Sequence, residues 1–244
     1  MEVPAVAAGY LIRDQERMRL AERYFKWQAD LAAVAVRQRV VEVGCGLGNF
    51  TRYLLGRELV VATDVDHACT ERLAARFPAC GNLVIRTIDV QSEEFVSLAS
   101  YRPDSVVCLN VLEHVEDDEL ALKHMHAVLP DGGRAVLIVP AFAALFGPID
   151  RLLGHHRRYS RDAILRLAGA TGFRVTTLHY MNSVGCLAWW ANARIFRRTE
   201  QSETQIKLFD RLIVPPMRWA EALLPPPFGQ SLFIVLEKTG RRTP

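Results

Sequence analysis

Two short stretches of this chain carry side chains that could move a proton. The longer one is rich in polar and charged residues within ten positions, and these include Asp150, His155, His156, Arg157, Arg158 and Tyr159. The shorter one is the pair Glu113-His114. A histidine near a carboxylate can act as a general base, so we predict His155 as the base, with His114 as the second candidate. In the competing interpretation, both histidines only hold their loops to the domain.

A glycine-rich loop, VVEVGCGLGNF at residues 40–50, indicates a bound ligand. Glycines let the backbone approach a ligand closely. A dinucleotide-binding loop reads G-x-G-x-x-G, but Asn49 stands where its third glycine belongs. Glu42 adds a carboxylate two residues before Gly44, which suits a cationic ligand better than a pyrophosphate. A nicotinamide-dependent oxidoreductase is therefore the less favoured alternative.

Strands alternate with helices along most of the chain, which is the pattern of βαβ units. Short apolar runs predict strands at 39–43, 59–63, 83–88, 105–109, 134–139 and 172–178. Helices are predicted at 14–36, 50–55, 66–76, 92–100, 117–128 and 160–168. Asp66 and Ser160 are the expected N-caps of two of them. The pattern predicts an α/β fold with a doubly wound, mostly parallel sheet, whose ligands bind beyond the carboxyl ends of the strands.

Polar residues follow the predicted strands at the positions where a ligand would lie. Asp64 ends the second strand, Asp89 follows the third, and Asn110 follows the fourth. Together with the glycine loop, the segments VVATDVD, TIDV and DSVVCLNVLEHVED resemble the motifs of the class I S-adenosylmethionine-dependent methyltransferases. The resemblance covers residues 38–180 and the final strand.

The resemblance implies S-adenosylmethionine as the cofactor and S-adenosylhomocysteine as its product. It implies that Asp64 accepts both ribose hydroxyls and that Asp89 binds the adenine amino group. The implied cofactor contacts are Glu42, Gly44, Cys45, Gly46, Asn49, Asp64, Val65, Asp89, Val90, Asn110 and Val111. Each acid also has a structural interpretation: the aspartates as strand-end caps, and Glu42 as the partner of an arginine.

The same resemblance implies a Rossmann-like methyltransferase fold with a seven-stranded sheet. Its last strand, 231–237, is expected to run antiparallel and to insert between the fifth and sixth strands. We divide the chain into an N-terminal helical cap (1–37), a cofactor-binding core (38–180), a helical substrate lobe or lid (181–228), and the last strand with its tail (229–244).

The predicted lobe is unusually rich in aromatic and basic residues. These are Trp189, Trp190, Arg194, Phe196, Arg197, Arg198, Phe209, Arg211, Arg218 and Trp219. Such a stretch could cover the acceptor, meet a lipid-linked acceptor or lie on a membrane surface. Alternatively, its aromatic side chains pack the lobe onto the core. The predicted acceptor contacts are Asp150, His156, Arg158, Tyr159 and Trp189.

Composition limits the kinds of binding partner and the cellular compartment that we expect for this protein. The net charge of +3, without a block of Lys or Arg, argues against nucleic-acid binding. Five cysteines without a C-x-x-C pair are typical of reduced thiols in a cytoplasmic protein. The N-terminus lacks the pattern of a signal peptide, and no apolar run is long enough to span a membrane. His124 and His126 would face different sides of a helix, so we expect no metal.

The sequence therefore predicts a methyltransferase that acts on a small-molecule, lipid-linked or glycan-linked acceptor. Hydroxyl and carbon acceptors usually need a base, whereas a carboxylate acceptor needs only orientation. The atom that receives the methyl group, O, N or C, and the oligomeric state are left open. A protein that binds the cofactor without catalysing a reaction is the alternative from a different class.

Overall fold

A seven-stranded sheet forms the centre of the computed structural model, which describes residues 5–191 and 202–240. The strand order is β3-β2-β1-β4-β5-β7-β6. The strands are β1 (Arg39–Val43), β2 (Leu59–Asp64), β3 (Leu83–Thr87), β4 (Ser105–Leu109), β5 (Arg134–Pro140), β6 (Phe173–Met181) and β7 (Ser231–Lys238). The predicted aromatic and basic residues at 194–198 lie outside the described residues.

The direction of the last strand confirms the predicted architecture. Strands β1 to β5 pair in parallel, and β7 lies antiparallel between β5 and β6. The long connection from β6 to β7 permits this insertion, because a tight hairpin would need far fewer residues. β6 ends at Met181 and not at residue 178 as predicted, because it pairs with β7 as far as Met181 opposite Ser231.

Nine α-helices surround the sheet in the described part of the chain. They are α1 (Ala5–Met18), α2 (Glu22–Ala33), α3 (His67–Arg76), α4 (Asp118–Val128), α5 (Pro148–Leu152), α6 (Arg161–Ala170), α7 (Ser183–Ala191), α8 (Glu203–Leu208) and α9 (Val214–Leu223). Both predicted N-caps are confirmed, since Asp66 accepts from the Ala68 N–H at 2.8 Å and Ser160 from the Ala163 N–H at 3.1 Å. None of these helices is long and apolar enough to cross a bilayer.

Two segments predicted as ordinary helices are instead 3₁₀ helices. The first covers only Thr51–Tyr53, and the second covers Glu93–Tyr101. The first segment lies between Gly48 and Gly56, which leaves little room for an α-helix. The second ends at Arg102, whose φ of 50° turns the chain sharply into the approach to β4.

The two faces of the sheet are covered by different helices. One face buries a core that includes residues of α4 and α6, such as Met125 and Ile164. The other face packs against α2 and α9, with Trp27 and Val214 among its buried residues. A five-residue π-helix, Phe209–Ile213, joins α8 to α9. Residues 209–217, which we predicted to belong to a substrate lobe, therefore contribute to a core layer.

Candidate active site

The glycine loop after β1 adopts a backbone conformation that favours glycine. Gly44, Gly46 and Gly48 have φ values of 71°, 49° and 76°. A Cβ at Gly44 would lie 2.2 Å from Cγ2 of Val111, so the loop after β4 lies directly against the glycine loop. The Gly46 N–H donates to Asp64 at the end of β2 over 2.8 Å. Residues from three strand ends are thus brought together, as predicted from their positions in the sequence.

Glu42 is buried next to this loop, and one of its two carboxylate oxygens lacks a hydrogen bond among the described residues. Its side-chain atom Oε2 makes no hydrogen bond within the described residues, and the residue is only 3% exposed. Burial raises the pKa of Glu42 to about 8; interaction with the Thr51 hydroxyl opposes the rise, and the nearby charge of Asp64 adds to it. A positive charge placed beside this carboxylate would stabilise its ionised form. No described arginine forms an ion pair with Glu42, so the structural interpretation lacks its partner.

The aspartates after β2 and β3 form tight turns at the strand ends. Asp64 accepts from the Asp66 N–H at 2.9 Å as well as from Gly46, and burial raises its pKa. Asp89 accepts from the Gln91 N–H at 2.9 Å. Carboxylate oxygens have several acceptor positions, so these local bonds leave capacity for a ligand. Both interpretations of the aspartates, as caps and as ligand contacts, are compatible with this geometry.

The remaining predicted cofactor contacts differ in their exposure. Val65 is 60% exposed, whereas Cys45 and Val90 are buried. Burial raises the pKa of the Cys45 thiol well above its ordinary value, which argues against a nucleophilic role. Asn110 lies in the left-handed region with a φ of 54°, and its N–H donates to the Ile138 carbonyl. That bond fixes the start of the loop that leads to Glu113 and His114.

Helix α1 also reaches the glycine loop, which the sequence did not indicate. The Gln15 side-chain oxygen accepts from the Leu47 N–H at 2.9 Å, and the Gln15 backbone carbonyl accepts from the Asn49 side-chain amide at 2.9 Å. Asn49 also accepts from Arg76 at 3.3 Å. The Asn49 amide is therefore held by α1 and α3. A single glutamine within a helix carries no motif, so no sequence signal pointed to Gln15.

The loop after β5 is organised by a buried aspartate. Asp150 is fully buried, and its Oδ1 accepts from His155 Nδ1 at 2.9 Å and from Arg158 Nε at 2.8 Å. Its Oδ2 accepts from the Gly147 N–H at 2.9 Å. Burial acts to raise the pKa of Asp150, but the bonds from His155 and Arg158 outweigh it and lower the pKa. Asp150 is therefore an ionised carboxylate that orients the His155 ring.

The two candidate bases lie next to each other. The His114 and His155 rings are 4.6 Å apart in an edge-to-face arrangement. The His156 N–H donates to the Glu113 carbonyl at 2.8 Å, which joins the loops after β4 and β5. Burial, with the neighbouring His155 and His156, lowers the pKa of His114 to about 3. His114 is thus neutral near pH 7, and the sequence did not predict that the two histidines would touch.

A buried glutamate completes this cluster. Glu113 is 1% exposed, its Oε2 has no hydrogen bond within the described residues, and burial raises its pKa to about 8. The ligand atoms of Glu113, His114 and His155 all lie within 4.8 Å of one another. This spacing would also permit a metal ion, since two imidazoles and a carboxylate are common ligands. The absence of a metal stays a prediction.

The other predicted acceptor contacts have well-defined structural partners. The Tyr159 hydroxyl donates to Asp118 at 2.8 Å, which fastens the loop to α4, and only 3% of Tyr159 is exposed. The Arg158 guanidinium lies 4.8 Å from the centre of the Trp189 ring on α7. The indole N–H of Trp189 is buried without a hydrogen-bond partner among residues 5–191 and 202–240, whereas His156 is exposed. Their contact with an acceptor stays a prediction, and Asp118 was not foreseen.

These features fit a cofactor that is cationic at one end and carries hydroxyl and amino groups. Glu42 offers a buried carboxylate with one oxygen free of hydrogen bonds in the described part of the chain, and Asp64 and Asp89 offer acceptors at neighbouring strand ends. The absence of a Cβ at Gly44 lets Val111 and the loop after β4 pack directly against the glycine loop, which brings these strand ends together. The fold and the site define an α/β enzyme of the kind that binds an adenosyl cofactor at the carboxyl edge of its sheet.

Comparison with known proteins supports this class directly. A family model for a methyltransferase domain matches residues 14–178. A ubiquinone biosynthesis O-methyltransferase from Xanthomonas campestris is 31% identical over 175 residues, which cover 66% of this chain and 72% of that protein. The chain therefore belongs to the methyltransferase family, and it is an S-adenosylmethionine-dependent enzyme.

Solved structures of low sequence identity share the fold. A putative methyltransferase from Haloferax volcanii, solved with the Trm112 methyltransferase activator, has a TM-score of 0.68 at 16% identity and covers all of both chains. The N-methyltransferase NodS from Bradyrhizobium japonicum, solved with S-adenosylhomocysteine, has a TM-score of 0.54 at 16% identity. The aligned region covers 93% of this chain and 86% of the NodS chain. At this identity the likeness concerns the fold alone.

Proposed function

We propose that the enzyme methylates a hydroxyl oxygen of an apolar small-molecule or lipid-linked acceptor, with His155 as the general base. The observation that carries the proposal is the 2.9 Å bond between His155 Nδ1 and the buried carboxylate of Asp150. The Xanthomonas campestris relative is named an O-methyltransferase, which agrees with an oxygen acceptor. Hydroxyl groups generally need a base when they attack, and a histidine held by a carboxylate is suited to that task.

The pair works through the tautomer that Asp150 selects. An ionised carboxylate at Nδ1 keeps the proton on that nitrogen, so Nε2 presents its lone pair to the acceptor hydroxyl. Arg158 and the Gly147 N–H hold Asp150 in place from its other sides. The side chain of His155 is 9% exposed, so most of the ring is shielded while an approach to it remains open.

The residues around the glycine loop would hold the cofactor. Glu42, Asp64 and Asp89 would provide the acceptor groups, together with the backbone of the loop and of Asn110. When bound, S-adenosylmethionine would supply a methyl group whose carbon a nucleophile can attack, with the positively charged sulfur leaving as the neutral thioether of S-adenosylhomocysteine. The protein's own contribution is to align the acceptor and to remove its proton at His155 Nε2.

A buried apolar cluster between α7 and the segment that follows β5 supports an apolar acceptor. Trp189 and Cys186 of α7 form a buried cluster with Leu145 and Ile149 of the loop after β5. The indole N–H of Trp189, which has no partner in the described part of the chain, offers one hydrogen bond to an acceptor group. An apolar wall with a few convergent polar groups is typical of small-molecule sites. We also retain cytoplasmic localisation and the absence of nucleic-acid binding, supported by five free cysteines and the small net charge.

Replacement of His155 tests the base. We expect His155→Gln to lower turnover by about a hundredfold or more, because proton removal is lost, and to leave cofactor affinity unchanged. Turnover would be measured with labelled cofactor on phenols and aliphatic alcohols, with and without alkyl tails. His67→Gln, which changes an exposed histidine on α3, is the matched control. Full activity of His155→Gln on every accepted hydroxyl would overturn the proposal.

Treatment with a chelator distinguishes two roles of the cluster formed by Glu113, His114 and His155: proton removal by His155 and binding of a metal ion. If His155 acts as the base, the activity should be unchanged after exhaustive dialysis against a chelator. A metal-dependent reaction would instead lose activity and regain it on addition of a divalent ion. That result would assign Glu113, His114 and His155 to metal binding, for which their spacing is suitable.

A further inference from the structure

The continuous helix formed by α8, the π-helix and α9 exposes large apolar side chains on its outer side. Ile206, Asp210, Val214 and Met217 are buried against the rest of the protein. Three exposed apolar residues lie two positions after Ile206, Asp210 and Met217, respectively: Leu208, Leu212 and Trp219. One further turn along, Leu223 is also exposed. We call Leu208, Leu212, Trp219 and Leu223 the outer stripe.

Exposure of this stripe is large for a helix that already covers the core. Trp219 is 69% exposed, Leu223 is 68% exposed, and the other two residues are more than half exposed. A helix that covers a core usually carries polar residues on its opposite face. Apolar residues on both sides are expected when a second apolar medium meets the outer side. We therefore infer that the outer stripe docks onto the surface of an anionic lipid bilayer.

A row of basic residues runs beside the stripe and identifies a lipid surface. Lys207, Arg211 and Arg218 each stand directly before one of the stripe residues. Arg211 is exposed and forms no ion pair with a described residue, and Arg218 pairs with Asp30 of α2 at 2.8 Å. Leucine and tryptophan next to lysine and arginine are the composition of helices that lie in the interface of anionic membranes.

Two of the three acidic residues of the same segment are engaged by other parts of the protein, and the third offsets Lys207, so the attraction depends on Arg211 and Arg218. Asp210 is buried and accepts from the backbone N–H groups of Arg23 and Tyr24. Glu203 pairs with Lys207 at 3.5 Å. Glu221 accepts hydrogen bonds from the Asn182 and Ser183 N–H groups at the start of α7. A second copy of this chain docked on the stripe would bring the basic rows of both copies together, which like-charge repulsion disfavours. Anionic headgroups are the complementary surface.

Direct contacts link the helix that carries the outer stripe to the candidate active site. Glu221 on α9 accepts from the Asn182 and Ser183 N–H groups at 3.0 and 2.8 Å, at the start of α7. Helix α7 carries Trp189, which contacts Arg158 of the acceptor loop, and it exposes Trp190 on its surface. Docking of α9 would therefore hold α7 and the acceptor site close to the bilayer. The inference itself does not depend on the chemistry of the acceptor.

Vesicle binding tests the inference without any acceptor. The full chain would be sedimented with vesicles of phosphatidylcholine alone and of phosphatidylcholine with phosphatidylglycerol in equal parts. We expect binding to the anionic vesicles, weakened by salt. Leu212→Ser/Trp219→Ser should weaken it at least tenfold, because two large apolar groups are lost. Arg211→Gln should weaken it about fivefold on anionic vesicles and leave neutral vesicles unaffected.

A matched double variant controls for the loss of exposed apolar residues. Val34→Ser/Leu165→Ser changes two exposed side chains outside the stripe and should bind vesicles like the wild type. Affinity for S-adenosylhomocysteine, measured for each variant, shows that the fold is intact. Equal vesicle binding of the two double variants would overturn the inference. So would failure of the wild type to bind, or a dimer in sedimentation velocity that only the stripe variant disrupts.

Discussion

Glu42 and Asp64 both lie beside the glycine loop, and they differ in their hydrogen bonds. Asp64 already accepts two backbone N–H groups, which fix its position at the end of β2. The Oε2 atom of Glu42 accepts none within the described residues and is buried. We therefore expect Asp64 to recognise neutral donors such as hydroxyls. Glu42 should instead favour a positively charged ligand. Substitution of Asp64 should therefore lower cofactor affinity, whereas substitution of Glu42 should change how that affinity depends on pH.

Asp64→Ala should weaken binding of the cofactor and of its product alike. The substitution removes charge-assisted hydrogen bonds in a buried setting, so we expect a loss of about 2–3 kcal/mol. Calorimetric titration with S-adenosylhomocysteine measures it. Asp104→Ala is the matched control, because Asp104 accepts from the Gln38 and Arg39 N–H groups at the opposite end of the sheet. An affinity that survives Asp64→Ala would refute the assignment.

Glu42 should make cofactor affinity depend on pH. Its raised pKa, about 8, means that much of it is protonated near pH 7, whereas a bound cation favours the ionised form. Affinity for S-adenosylmethionine should therefore rise with pH and level off above about pH 8, with release of a proton on binding. Calorimetry in buffers of different ionisation enthalpy detects that proton. Glu42→Gln should abolish both effects, and a pH dependence that persists in this variant would exclude Glu42 as the cause.

At the scale of elements, hydrogen bonds from the first turn of α2 to the π-helix join two segments that are distant in sequence. Ala21 precedes α2 and offers no capping side chain. Asp210, delivered by the π-helix, accepts from the Arg23 and Tyr24 N–H groups at 3.1 and 2.8 Å and serves as the cap. A π-helix inserts an extra residue into a turn and so re-aims a side chain. Its position beside α2 gives the irregularity a structural role.

Removal of this cap should lower stability without affecting the site. We expect Asp210→Ala to reduce the free energy of unfolding by about 1–2 kcal/mol, the cost of losing a helix cap. Urea denaturation of the cofactor-free protein measures the change. Glu203→Ala, which removes an exposed pair on the same segment, should cost far less. A value for Asp210→Ala no larger than that of Glu203→Ala would contradict this role.

The elements themselves were largely predictable, whereas the contacts between distant elements were not. The alternation of apolar runs with amphipathic segments indicated six strands, and the family motifs implied where the seventh inserts. Asp210 and Gln15 lie in segments whose local pattern is only helical, and their partners are distant in sequence. The same holds for Asp150, whose bond to His155 depends on how the loop after β5 folds. Local patterns determine periodicity, but they do not determine which polar groups meet.

At the scale of the whole molecule, two buried glutamates should make stability fall as pH rises. Glu42 and Glu113 both have a pKa near 8 in the folded protein, above their ordinary value of 4.5. The folded state therefore binds more protons than the unfolded state between these values, so the free energy of unfolding decreases from the lower pH to the higher. The decrease should be at most about 1.4 kcal/mol per pH unit for each group.

Urea denaturation from about pH 6 to about pH 8 would reveal this trend in the cofactor-free protein. Glu42→Gln and Glu113→Gln should each flatten the curve, and the double variant should flatten it most. His114 acts in the opposite direction at lower pH, because its lowered pKa of about 3 costs stability below its ordinary value of 6.5. Parallel curves for the wild type and the double variant would show that neither glutamate is protonated in the fold.

The place of β7 in the sheet constrains the order in which the chain can fold during its synthesis. β6 pairs only with β7 among the described strands, and one edge of β5 is covered only by β7. A nascent chain therefore holds both strands with open edges until Ser231–Lys238 have left the ribosome. Open strand edges invite pairing with other chains. The enzyme thus passes through a stage of translation in which its own final strand, or a chaperone, must compete with aggregation.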